Sequence, residues 1–173
     1  MVQHEADNSF GTVTDIKVEA LGEPGHRKFR VLIASGAAFA CLWVEKEQVQ
    51  QLAIYIQEVS ETFGQSTGGS EQRLPEDTWA GEMKNVEFHV GRLALGHDSS
   101  TNSFLFLVHD VESAEDAAAD LSFWVTLDMA RSLSKKAFEV CAAGRPRCFL
   151  CGLPINPEGH MCVRSNGHQP FQN

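Results

Sequence analysis

The spacing of apolar residues predicts an α+β fold: two β-β-β-α repeats packed around a pseudo-twofold axis, either as one antiparallel sheet or as a partly closed barrel. Three observations carry this expectation. Three runs with the two-residue period of half-buried strands precede a run with the 3.6-residue period of a helix. The same order then occurs again. At a fixed offset of 81, residues of the first pass match those of the second: Trp43 and Trp124, Val44 and Val125, Leu52 and Leu133, Glu58 and Glu139, Val59 and Val140. A constant register of this kind is what an internal duplication leaves behind.

The first repeat is expected over residues 1–63. Residues 14–21 alternate Ile16, Val18 and Ala20 with Asp15, Lys17 and Glu19, which predicts a strand with one buried face. Gly22-Glu23-Pro24-Gly25 ends it, because Pro presets the first central φ of a turn and Gly accepts a positive φ. A second strand over 27–34 places Phe29, Val31 and Ile33 on one face, Ser35-Gly36 turns the chain, and 38–44 forms a third. From 45 to 63 the period becomes helical, with Val49, Leu52, Ala53, Ile56, Val59 and Phe63 on one stripe.

Residues 64–85 are expected to be a linker, rich in Gly, Ser and charge, with Trp79 the one side chain suited to dock elsewhere. The second repeat, over 86–143, is read as strands at 87–95, 103–109 and 121–127 and a helix at 128–142 with Ala130, Leu133, Ala137, Val140 and Cys141 inward. An acidic insertion over 112–120 separates its last two strands and is expected to be solvated.

The tail, residues 144–173, follows Gly144 and Pro146, which end the helix. It carries Cys148-Phe149-Leu150-Cys151-Gly152 and then Gly159-His160-Met161-Cys162. A C-x-x-C turn brings two thiolates within reach of one ion, and the intervening residues, with Pro154, Asn156 and Pro157, return the chain. Three thiolates and an imidazole from Cys148, Cys151, His160 and Cys162 are the ligand set of a closed tetrahedral zinc site, a zinc knuckle. Such a site leaves no open position for water, so its expected role is to order the tail rather than to catalyse.

Composition bounds the rest. The 173 residues suffice to bury roughly two thirds of the unfolded surface without disulfides. A net charge of −9 argues against a surface that grips nucleic acid or anionic lipid throughout. The charge is uneven, however. From 131 onward Arg131, Lys135, Lys136, Arg145, Arg147 and Arg164 face only Glu139 and Glu158, so the end carries +4 and the preceding residues −13. The first ten residues contain no apolar run of signal-peptide or membrane-span length, and a cytoplasmic, membrane-free protein is expected. In a reducing compartment cysteines suit metal better than disulfides, and the two left over, Cys41 and Cys141, sit in apolar patterns as small buried hydrophobes.

The whole chain resembles the bacterial domain-of-unknown-function 3090 family, in three places. The first is the Gly-x-Pro-Gly-x-Arg-x-Phe turn at residues 22–29. The second is the Glu-Lys-Glu-Gln-Val helix start at 45–49, with the Val-Gly-x-Leu-Ala-Leu-Gly strand at 90–96. The third is the ending Ala-Gly-Arg-Pro-x-Cys-x-x-Cys-Gly with its Gly-His-x-Cys and Asn-Gly, at 143–167. Phe149 and His168 depart from the family pattern, and neither is a ligand. The resemblance implies the zinc site and the repeat, and it implies no activity.

Other constellations are weaker. Gly22, Gly25 and Arg27 would present backbone amides and a guanidinium to a small anion such as phosphate, although a hairpin turn with a surface Arg accounts for the same residues. His89, His97, Asp98, His109 and Asp110 fall in the first two strands of the second repeat and their turn, where His89 and His109 would be an acid–base pair if the strands bring them together; strand alternation makes His89 solvent-facing instead. No nucleophile elbow, phosphate loop or dinucleotide glycine pattern occurs. The sequence is therefore read as a zinc-stabilised adaptor. A protein partner is expected rather than RNA, because Phe149 is the one aromatic of the knuckle. An anion-binding protein or enzyme is the alternative.

Overall fold

The computed structural model describes residues 6–23, 25–63, 73–142 and 150–151. Within them the alternating runs form strands and the helical runs form helices. The strand β2 (Asp15–Leu21) buries Ile16 and Val18, β3 (Lys28–Ser35) buries Phe29, Val31 and Ile33, and β4 (Ala38–Val44) buries Ala38, Ala40, Leu42 and Val44. The three pair antiparallel in one register, with Val18 opposite Val31 and Val31 opposite Leu42. Helix α1 (Lys46–Phe63) follows directly. Its first turn is closed by Gln48, whose Oε1 accepts from the Glu45 amide at 2.8 Å, half of a capping box. Its last carbonyls are met from the other half of the molecule: Asn102, at φ 50°, donates its Nδ2 hydrogen to the Phe63 carbonyl at 3.2 Å.

The second half repeats the order with β5 (Lys84–Asp98), β6 (Ser103–Asp110), β7 (Leu121–Thr126) and α2 (Leu127–Ala142). Phe104, Phe106, Phe123, Leu121 and Val108 are fully buried here, and the Phe106 and Phe123 rings stack at 4.8 Å. Each such side chain contributes on the order of 2 kcal/mol by leaving water. The two helices run antiparallel over this core. The Ser134 hydroxyl donates to the Ala53 carbonyl at 2.7 Å midway along both, and Cys141, near the end of α2, lies 4.0 Å from the Lys46 carbonyl at the start of α1.

The fold is thus α+β, with a seven-stranded sheet in the order β1-β7-β6-β5-β4-β3-β2. It is not wholly antiparallel, as one of the two expected arrangements required. A short strand, β1 (Ser9–Thr12), pairs parallel with β7, and β4 pairs parallel with the first half of β5. The parallel β4–β5 pair follows from chain order, because α1 carries the chain back over the sheet before β5 begins. Strands β1 and β2 lie at opposite ends of the strand order yet are separated only by Val13 and Thr14. The Val13 amide bonds to Trp124 of β7 and the Thr14 amide to Ala34 of β3, so the sheet curls until its edges meet there.

The stretch before β5 is packed, not merely spanning. The Thr12 hydroxyl donates to the Glu76 carbonyl, Thr78 donates to the Thr12 carbonyl at 2.8 Å, and the Trp79 amide donates to Ser35 Oγ at 3.1 Å. Buried Ser35 in turn donates to the Phe10 carbonyl at 2.6 Å. Trp79 docks against Phe10, with ring centroids 6.0 Å apart. Gly11 permits the crossing: at φ 64°, a Cβ there would lie 1.8 Å from the Asp77 carbonyl oxygen.

Candidate functional site

Three of the four expected zinc ligands, Cys148, His160 and Cys162, lie outside the described residues. Cys151 is half-buried. Among the described residues no group of three or more His, Cys, Asp or Glu is arranged to hold a metal. The donor set itself fits zinc, since three soft thiolates and an imidazole in a compact spacing select it over harder cations.

The turn with Gly22, Gly25 and Arg27 links β2 to β3. Gly22 and Gly25 take φ 97° and 89°, and the His26 amide donates to the Glu23 carbonyl at 2.9 Å. That bond removes one amide from those a bound anion would use. Arg27 Nε is buried without a hydrogen-bond partner. The histidines of the second half are not beside it: in the strand order β3 and β4 stand between β2 and β5, about 14 Å at the usual strand spacing.

Nor are His89 and His109 brought together as acid and base. His89 is exposed, stacked on Trp43 at 6.4 Å, and only its backbone meets β6, its amide donating to Asp110 Oδ2 at 3.1 Å. His109 lies opposite Arg92, whose Nη2 is 3.1 Å from the imidazole Nε2. Partial removal from water and the adjacent guanidinium hold the imidazole below the usual histidine pKa, against the smaller opposing pull of Asp120. Asp120 is held below the usual carboxylate range: burial works against ionisation, but the Asp110 amide and the Ser113 hydroxyl, both donating at 2.7 Å, outweigh it. This network fastens the acidic insertion to β6. His97 is likewise structural, 2.7 Å from Asn102 Oδ1 and stacked on Phe63 at 4.9 Å.

Cys41 lies on the outer face of β4, between Leu32 and Glu87 on the adjacent strands. Burial and Glu87 push its thiol up, so it is a poor thiolate. Cys141 is buried in the core. Cys141 fits the reading as a small buried hydrophobe; Cys41, half-buried on the outer face, does not.

Two open grooves run along the helices. One, of about 540 Å³, lies between α1 and α2 and is lined by Ile56, Ser60, Glu61, Arg131, Lys135 and Phe138 among others. The other, of about 510 Å³, separates α1 from β5 and has Glu47, Gln48, Gln51 and Tyr55 on one wall and Gly91 and Arg92 on the other, with Leu52, Leu93 and Leu95 also lining it. Sequence reasoning missed the second groove. The signal was Gly91, an isolated glycine inside a strand pattern, which marks the bulge where the β5–β6 register shifts between Val90 and Arg92.

No helix among the described residues is long and apolar enough to cross a membrane. Searches of curated proteins and of solved structures return no match. A family model described as "Protein of unknown function (DUF3090)" matches residues 8–162, from the start of β1 through Cys162. The match spans the sheet, both helices and the cysteine-rich tail, and the chain belongs to the DUF3090 family.

Proposed function

We propose that this protein is a zinc-stabilised partner-binding module of the cytoplasm, an adaptor rather than an enzyme, with Cys148, Cys151, His160 and Cys162 holding one zinc ion. The observation that carries the reading is the donor set, which the family match includes up to its last residue, Cys162. With all four positions taken by protein, bound zinc supplies cohesion to a tail poor in apolar residues. Arg145, Arg147 and Arg164 stand close in sequence to offset the negative charge of three thiolates.

The body is read as a duplicated unit. The pairing pattern supports this: the first half of β5 pairs parallel with β4, as β1 pairs with β7, while the second half of β5 pairs antiparallel with β6, as β2 pairs with β3. Ala53 and Ser134, 81 residues apart, touch at the helix crossing. A position that meets its own equivalent lies on a twofold axis.

Native mass spectrometry of protein purified without added metal tests the zinc reading. One zinc per chain, lost to a chelator and absent from Cys151→Ser, is expected; a metal-free mass with unchanged folding refutes it. The orphaned Arg27 Nε favours a second reading, a small-anion site at Gly22, Gly25 and Arg27. Phosphate stabilisation of the protein that Arg27→Gln abolishes would select it.

A further inference from the structure

Strand β5 is 15 residues long and changes partners halfway. Residues 84–89 pair with β4 on one side, and residues 90–98 pair with β6 on the other. No described strand pairs with the remaining edge of residues 92–98, which faces the 510 Å³ groove under α1. The corresponding edge of the other half is covered, because α2 lies directly along β2, whereas α1 meets β5 mainly at its two ends, through Gln48 on Val90 and Phe63 on His97. Open edges are ordinarily protected by charge, proline or a bulge. Here Gly91 bulges only at the start, and Leu93, Ala94, Leu95 and Gly96 carry neither charge nor proline.

The groove carries one charge of each sign, Glu47 on the α1 wall and Arg92 on the β5 wall. Arg92 is exposed, no described carboxylate lies within ion-pair distance of it, and its side-chain partner is the His109 ring. In a chain of net charge −9, this is a cation left for an acidic group to meet.

We propose that this edge and groove dock an extended, acidic-apolar peptide segment of another protein. It adds as a strand to residues 92–98, lays alternate apolar side chains on Leu52, Leu93 and Leu95, and places a carboxylate against Arg92. Gln48, Gln51 and Tyr55 of α1 supply polar contacts from the opposite wall. A second copy of the chain fits less well, since its own α1 beside its own β5 would have to enter the groove with the strand. The proposal deepens the partner-binding reading above and does not involve zinc.

The test uses the full-length chain, isotope-labelled for NMR, and an acetylated, amidated octapeptide alternating valine and threonine with an aspartate at each end. Shift changes and exchange protection at the amides of residues 92–98 are expected. N-methylation of alternate peptide amides should abolish them. Arg92→Gln should weaken binding roughly tenfold, and replacing the peptide aspartates by asparagine should do the same without adding to the Arg92 variant. No response at residues 92–98 with millimolar peptide, or binding that survives N-methylation, overturns the proposal. Protection that rises with protein concentration alone assigns the edge to a second copy and equally overturns it. The two readings fail separately: a metal-free protein that binds peptide refutes only the zinc site, and a zinc protein without the peptide response refutes only the groove.

Discussion

Gly11→Ala measures how firmly the segment before β5 is fixed to the body. A Cβ at this position would stand 1.8 Å from the Asp77 carbonyl oxygen, a distance no packing tolerates, so residues 76–79 must lift away from β1. The positive φ of 64° costs about 1–2 kcal/mol for alanine. Losing the hydrogen bonds of Thr12 to Glu76 and of Thr78 to Thr12 costs about 1 kcal/mol each, and partial release of Trp79 from Phe10 about 1 more. The sum is about 4–5 kcal/mol, or a fall in Tm on the order of 10–15 °C for a chain of this size. Gly25→Ala is the control, because φ is also positive there, at 89°, but no atom lies within 4 Å of the added methyl. It should cost only the backbone term, about 1–2 kcal/mol. Urea unfolding gives both stabilities, and the difference in fluorescence between each protein and its Trp79→Phe counterpart reports the indole's exposure. Equal losses for the two variants, with Trp79 still shielded in Gly11→Ala, would refute the packing of this segment.

Three further outcomes follow from the geometry. Ser35→Ala should cost about 2–4 kcal/mol in urea unfolding, since it strips a partner from both the buried Phe10 carbonyl and the Trp79 amide. Ser134→Ala should cost only about 1 kcal/mol, because the Ala53 carbonyl keeps its bond within α1. The third outcome concerns pH. The depressed pKa of His109 means that the unfolded chain takes up a proton before the folded one does, so stability falls as pH drops below about 6.5; His109→Gln should flatten that slope, with the His109 resonance titrating below the usual value. Asp120 acts in the same direction at lower pH: its stabilisation is present above the usual aspartate pKa and is lost as pH falls through the depressed folded value.

The fold was legible where chemistry was local. Ile16 and Val18, Phe29 with Val31 and Ile33, and the α1 stripe of Val49, Leu52, Ala53 and Ile56 are buried as their periods predict. Phe63, at the end of that stripe, is exposed and packs on His97 instead. Strand β1 was illegible because it is short and pairs with β7 more than a hundred residues away. The first three residues of β5, 84–86, were missed for a related reason: Lys84 and Asn85 read as polar, and the partner there is a parallel strand rather than a hairpin neighbour. His89 and His109 suggested a pair because their strands were expected to lie side by side. The shift at Gly91 instead places His109 opposite Arg92 and leaves His89 to Trp43.

A duplicated unit with an exact twofold would cover both of its open strand edges or neither. Here the resemblance between the halves holds for the strand pairing and for the Ala53–Ser134 crossing, and fails at the edges, where α2 closes on β2 and α1 leaves β5 open. The second half has Gly91 and Arg92 at the bulge, and α1 spends Gln48 reaching Val90, its Nε2 donating to that carbonyl at 3.2 Å, which fixes the helix at the mouth of the groove. The helix is thereby tied to β5 at one end of the groove. In this reading one half keeps the structural closure and the other carries the binding surface.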